Sequence, residues 1–164
     1  MYRFISYLKF LFSATNQHGV HSPFVYDFVT NCLYQKTERK LPVTEEVLLK
    51  SIAYFNYKNI GLVNDSIVFK NQIRTLSKGI SFTEMPFDLI YADEDSAHFK
   101  QVSKNQIHND SMLLIKGIYR PRKDSENWKE IKRMPQVRVT IDLFYCGIVF
   151  FRKEQAKEHF RIRI

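Results

Sequence analysis

Residues Pro86–Asp95 read P-F-D-L-I-Y-A-D-E-D. Phe87, Leu89, Ile90 and Tyr91 make a short apolar run with a proline before it and three acids after it. That pattern predicts a buried strand whose C-terminal end presents carboxylates. In open α/β sheets ligands bind just outside the carboxyl ends of parallel strands, so Asp93 and its neighbours are the first place to look for chemistry. The same acids also suit a helix start, because Asp95-Ser96 precedes a helical pattern and both residue types are preferred caps.

Working outward, Asn59–Val63 (N-I-G-L-V) predicts a short strand, and Asp65 or Ser66 starts a helix carrying Ile67, Val68, Ile73 and Leu76. On the other side, Ser96–Ile107 predicts a helix and Met112–Lys116 a strand. Asp124 or Ser125 caps a helix bearing Trp128 and Ile131, which stops at Pro135. Val137, Val139, Ile141 and Leu143 then alternate with Arg138, Thr140 and Asp142, the pattern of a half-buried strand. Cys146-Gly147 turns the chain into a last strand, Ile148–Phe151. Strands alternating with helices, closed by a hairpin, predict an α/β three-layer sheet with an antiparallel edge.

The first third reads as helical, dividing the chain into a helical segment, 1–57, packed on an α/β unit, 58–164. Arg3, Ser6, Lys9 and Ser13 form a polar stripe on an otherwise apolar first helix. That helix is too short and too interrupted to span a bilayer or act as a signal peptide. It is expected to pack on the body or on a second subunit, giving a homodimer through the N-terminal helices. Interfacial membrane attachment is the second reading. Ser22-Pro23 opens a second helix and Thr44 caps a third, with Glu45 and Glu46 in its first turn.

With 164 residues the chain is one domain with room for a sizeable core. The net charge of +8 makes an anionic partner possible without specifying one. Arg120, Arg122, Lys123, Lys129, Lys132 and Arg133 fall on one loop and helix, but no aromatic stacking residues interleave them. Solvated faces are therefore expected rather than a nucleic-acid surface. Cys32 and Cys146 sit in apolar surroundings and read as buried hydrophobes rather than a disulfide, which fits a cytoplasmic setting. Glu94, Asp95 and His98 have a spacing that suits a divalent metal, yet a hard cation wants more oxygens than they offer, so no metal is expected. No P-loop, Ser/His/Asp set or zinc-spaced cluster is present.

Two longer stretches carry a resemblance. H-G-V-H-S-P-F-V-Y-D-F (His18–Phe28) and T-I-D-L-F-Y-C-G-I-V-F-F-R-K-E-Q-A-K-E-H-F-R-I-R (Thr140–Arg163) resemble the two ends of a bacterial branch of class I S-adenosylmethionine-dependent methyltransferases. The resemblance implies a Rossmann-like sheet, S-adenosylmethionine as cofactor and a small-molecule acceptor. It implies that Asn64, Asp65 and Glu94 line the cofactor and that Asp93 sits by the methyl group. His21, in the opening loop, would be a general base, or would fix that loop on the body.

The middle of the chain departs from the family. The turn after the first strand holds no glycine. Glu84, the one candidate for the ribose-binding acid, lies too few residues before Phe87 for a parallel crossover. Lys116-Gly117 replaces an acidic pair. The chain is therefore expected to omit the family's second and third strands and keep about five. A right-handed crossover straight to the next strand would put the Ser66–Ser77 helix on the opposite face from its usual one. Together these imply a methyltransferase-like protein with impaired or absent cofactor binding, or a non-catalytic scaffold or interaction module derived from one.

Overall fold

The computed structural model describes residues 2–38, 40–63, 67–92, 104–120 and 122–164. Five α-helices lie among them: α1 (Tyr2–Ser13), α2 (Pro23–Phe28, running on as a π turn), α3 (Val43–Phe55), α4 (Ile67–Leu76) and α5 (Arg122–Arg133). Six strands, β1 (Ile60–Leu62), β2 (Phe87–Ala92), β3 (Ile107–Lys116), β4 (Val139–Asp142), β5 (Cys146–Phe150) and β6 (Glu158–Arg161), form one mixed sheet. Its order is β1-β2-β3-β5-β4-β6. All neighbours are parallel except β5, which runs antiparallel between β3 and β4.

The strand on which the sequence reading turns is β2, and its side chains alternate as a strand requires. Leu89 and Tyr91 join the core under α2 and α3, with Val25, Phe28, Leu48 and Ile52. Ile90 and Ala92 join the opposite core, under Trp128 and Ile131 of α5. The sheet is thus sandwiched between two helical layers, and the α/β class is as expected. On the α2–α3 side the filling is aromatic, with the Phe28 ring edge-on to Phe150 at 5.5 Å and stacked on Phe55 at 5.2 Å.

Helix starts follow local chemistry in one case and not in another. Ser22 caps α2 through the Val25 amide and Pro23 takes the first turn. Thr44 is not the cap of α3. Pro42 holds that position, and the buried Thr44 hydroxyl meets the Cys146 thiol.

The expected count of about five strands is corrected to six. β6 pairs in parallel with β4 at the outer edge, so the antiparallel β4–β5 hairpin is interior rather than terminal. Ile107 begins β3 and does not end a helix.

The expected path from β1 to β2 is also corrected. After α4, Ser81 makes a single parallel bridge to Asn59. The Ile60 amide donates to the Ser81 carbonyl at 2.8 Å and the Ser81 amide to the Lys58 carbonyl at 2.9 Å. The Asn59 carbonyl accepts from the Asp88 and Leu89 amides. Because successive residues of a strand turn their backbone groups to opposite edges, Ser81 lies on the far side of β1 from β2. The step from β1 through α4 to Ser81 therefore runs outward, opposite to the step from β3 through α5 to β4. Ile73 of α4 packs in the core under α2 and α3, and Phe69 lies 5.1 Å from Tyr91. Opposite steps on opposite faces have the same hand, so α4 stays on the α2–α3 face and the handedness rule is kept.

Candidate functional site at the carboxyl edge

β1, β2, β3, β4 and β6 end at one edge of the sheet, and α1 lies over the β4–β5 turn there. Tyr7 and Phe10 of α1 pack on Phe144 at 4.8 and 5.6 Å between ring centres, and Tyr119 stacks on the same ring at 5.3 Å.

Asp142, the last residue of β4, is 3% exposed. The Tyr119 hydroxyl donates to its Oδ2 at 2.6 Å and the Phe144 amide to its Oδ1 at 2.9 Å, with Arg161 Nε 3.8 Å from Oδ2. Burial raises the Asp142 carboxyl above the ordinary carboxylate value, against the pull of Tyr119, the Phe144 amide, Arg161 and Lys132. Burial and this acid together push the Tyr119 phenol up as well. Phe144 has φ 67°, a left-handed conformation uncommon for an aromatic residue. The Asp142 carboxylate, accepting from its amide, holds that turn.

Cations from three elements gather at this edge, Lys132 and Arg161 nearest this acid. Lys9 of α1, Lys129 and Lys132 of α5 and Arg161 of β6 line a cleft of about 440 Å³. Lys132 and Arg161 also line an adjoining cleft of about 360 Å³ with Asp142 and His159. Burial lowers the Lys132 pKa, reinforced by Arg161, Lys129 and Arg133 and opposed by Asp142. Burial lowers the His159 pKa too, with Lys132 and Lys157 adding to it. Across α1, a third cleft of about 240 Å³ is lined by Arg3, Lys116 and Arg120. Among the described residues this edge gathers cations beside the shielded Asp142.

Of the site residues singled out by sequence, only His21 lies among the described residues. Asn64, Asp65, Asp93 and Glu94 lie outside the described residues. His21 is exposed and adjoins Ser22, whose hydroxyl is 3.5 Å from Gln155 in the loop after β5. That loop leaves the amino edge of the parallel strands, so the structure does not bring His21 to the carboxyl edge where β2 ends.

Asp142 was missed although the rule used for Asp93 applies to it, an acid closing a strand at the carboxyl edge. Its alternation with Ile141 read as an outward polar position, and α5 covers that face. Asp88 was also missed. It accepts from the Lys58 and Asn59 amides at 2.7 and 2.8 Å and pairs with His108 Nε2 at 3.0 Å, pinning the entry to β1 at the amino edge. Burial works to raise its pKa, but these donors outweigh burial and hold it below the ordinary value. Among the described residues no three His, Cys, Asp or Glu side chains are grouped to hold a metal ion.

Comparison with models of known protein families gives no match. Comparison with curated proteins gives none either.

Proposed function

We propose that this chain is a class I S-adenosylmethionine-dependent methyltransferase-like protein whose cofactor pocket is curtailed on its ribose side. Cofactor binding is impaired as a result, and methylation of a small-molecule acceptor falls with it. The order β1-β2-β3 in parallel, followed by an antiparallel strand, supports the family reading once the second and third strands are taken away.

The observation that carries the curtailment is the Ser81 bridge. A class I enzyme needs an acid at the carboxyl end of the strand beside β1 to hold the ribose hydroxyls. Here that strand is one bridged residue, level with Asn59, whereas β1 continues to Leu62. It stops about 10 Å short of the carboxyl edge at the usual strand rise. Phe82 turns back under α4, its ring 5.1 Å from the Arg74 guanidinium. Of the acids among the described residues 67–92, Glu84 is exposed in the return to β2 and Asp88 sits at the amino edge. These residues do not fit the ribose of the cofactor.

A turnover assay tests the proposal. Tritiated S-adenosylmethionine with a panel of small phenolic and amine acceptors is expected to give no transfer above a no-protein control. Sustained transfer to any of them contradicts it. The second reading, a scaffold or interaction module, is favoured by one observation, the apolar face that α1 leaves exposed, with Phe12 at 90%.

A further inference from the structure

We propose that α1 docks this protein on an anionic lipid surface, with its outward apolar stripe in the headgroup region and the cations on both flanks against lipid phosphates. The helix has three faces. Tyr7 and Phe10, with Ala14 just beyond the helix end, pack on the body. Ser6, Lys9 and Ser13 line or border the clefts described above. Phe4, Leu8 and Phe12, one turn apart, form the outward stripe with Ile5 beside it. Their exposures are 65, 39, 90 and 45%. Isolated exposed apolar residues are ordinary, but four contiguous ones on a single helix mark a contact surface.

Charge identifies the partner. Arg3, Lys116 and Arg120 line the cleft on one flank, and Lys9, Lys129, Lys132 and Arg161 the cleft on the other. Among the described residues, Glu126 pairs with Lys129 and Asp142 lies near Arg161. No ion pair joins Arg3, Lys9 or Lys132 to a carboxylate among the described residues. An apolar ridge between two rows of cations is the arrangement of a helix lying in an anionic membrane interface. No helix among the described residues is long and apolar enough to cross a membrane, so the attachment is peripheral.

Other occupants fit less well. A second copy meeting α1 face to face would oppose identical rows of cations, which costs what a self-complementary interface must avoid. A nucleic acid would use the cations and leave Phe4, Leu8 and Phe12 in water. The inference does not depend on the reading of the cofactor site.

Co-sedimentation of the 164-residue chain with vesicles tests it. Binding is expected to phosphatidylcholine vesicles containing phosphatidylserine, weakened by salt, and not to phosphatidylcholine alone. Leu8→Ser with Phe12→Ser is expected to abolish it while the chain keeps a cooperative melting transition, and Phe12→Ser alone, at a side chain 90% exposed, is expected to weaken it with the melting temperature unchanged. Lys9→Gln with Lys132→Gln is expected to weaken it roughly tenfold or more, taking the usual contribution of a cation near an anionic surface. Lys153→Gln, at the amino edge, should leave it unchanged. No sedimentation with anionic vesicles overturns the proposal, as does binding that ignores lipid charge or survives the Leu8/Phe12 change. A dimer in light scattering that this double change disperses, with no vesicle binding, assigns the stripe to a second copy instead.

Discussion

Ser81 lies in parallel register with Asn59 on the outer edge of β1, joined by two backbone hydrogen bonds of 2.8 and 2.9 Å through Ile60 and Lys58. One bridged residue stands where a full strand would otherwise shield β1. The Ile60 amide is therefore expected to be protected from hydrogen exchange although, among the described residues, its strand has no further partner on that side. Ser81→Pro removes the donor to Lys58 and is expected to cost about 1–3 kcal/mol, as a lost backbone donor in a strand does. Faster exchange at Ile60 and a lower denaturation midpoint check this, and unchanged exchange contradicts it.

Asp142 accepts from the Tyr119 hydroxyl and the Phe144 amide in a buried turn. Asp142→Ala orphans both donors and is expected to destabilise by about 2–4 kcal/mol, the cost of leaving buried polar groups unpaired. Asp142→Asn, which keeps an acceptor for the Phe144 amide, should lose less. The pH dependence has a definite sign. Because the folded pKa is raised, the contribution of this group is fully present below the unfolded value near pH 4 and is lost as pH rises through the folded value. The stability of Asp142→Asn relative to the parent should accordingly improve from about pH 4 upward. Denaturation curves across that range measure it, and a gap that widens against Asn contradicts the account.

Gly147 of β5 lies beneath the Trp128 ring, where an added Cβ would meet ring carbons at 2.7 Å. Trp128 is 1% exposed and fixed by the sheet below it. Gly147→Ala is expected to cost about 1–3 kcal/mol by overpacking and to change Trp128 fluorescence in the native state. An unchanged midpoint and spectrum would show that α5 can shift to accommodate a methyl group.

The elements legible in the sequence are those whose side chains meet a core. β1, β2, β3 and β5 are apolar runs between turn signals, and α2 carries its Ser22-Pro23 start openly. β6 was hidden because E-H-F-R offers only Phe160 to the interior and belongs to a basic stretch that reads as solvated. Ser81 was hidden because one bridged residue has no period. That omission led to the wrong face for α4, since the direction of its crossover depends on Ser81 alone. Thr140 and Asp142 alternate like outward positions, but α5 closes over them and both are buried. The cationic clefts were equally hidden. Lys9, Lys132 and Arg161 are far apart in the chain and meet only because α1, α5 and β6 share the carboxyl edge.

Calorimetric titration of the chain with S-adenosylmethionine and its demethylated product tests the curtailed pocket most directly. Micromolar affinity corresponds to about −8 kcal/mol, which a site lacking its ribose wall should not reach. The account predicts no saturable heat up to millimolar cofactor. Micromolar binding of either compound would contradict it and would mean that a complete pocket forms at the carboxyl ends of β1 and β2.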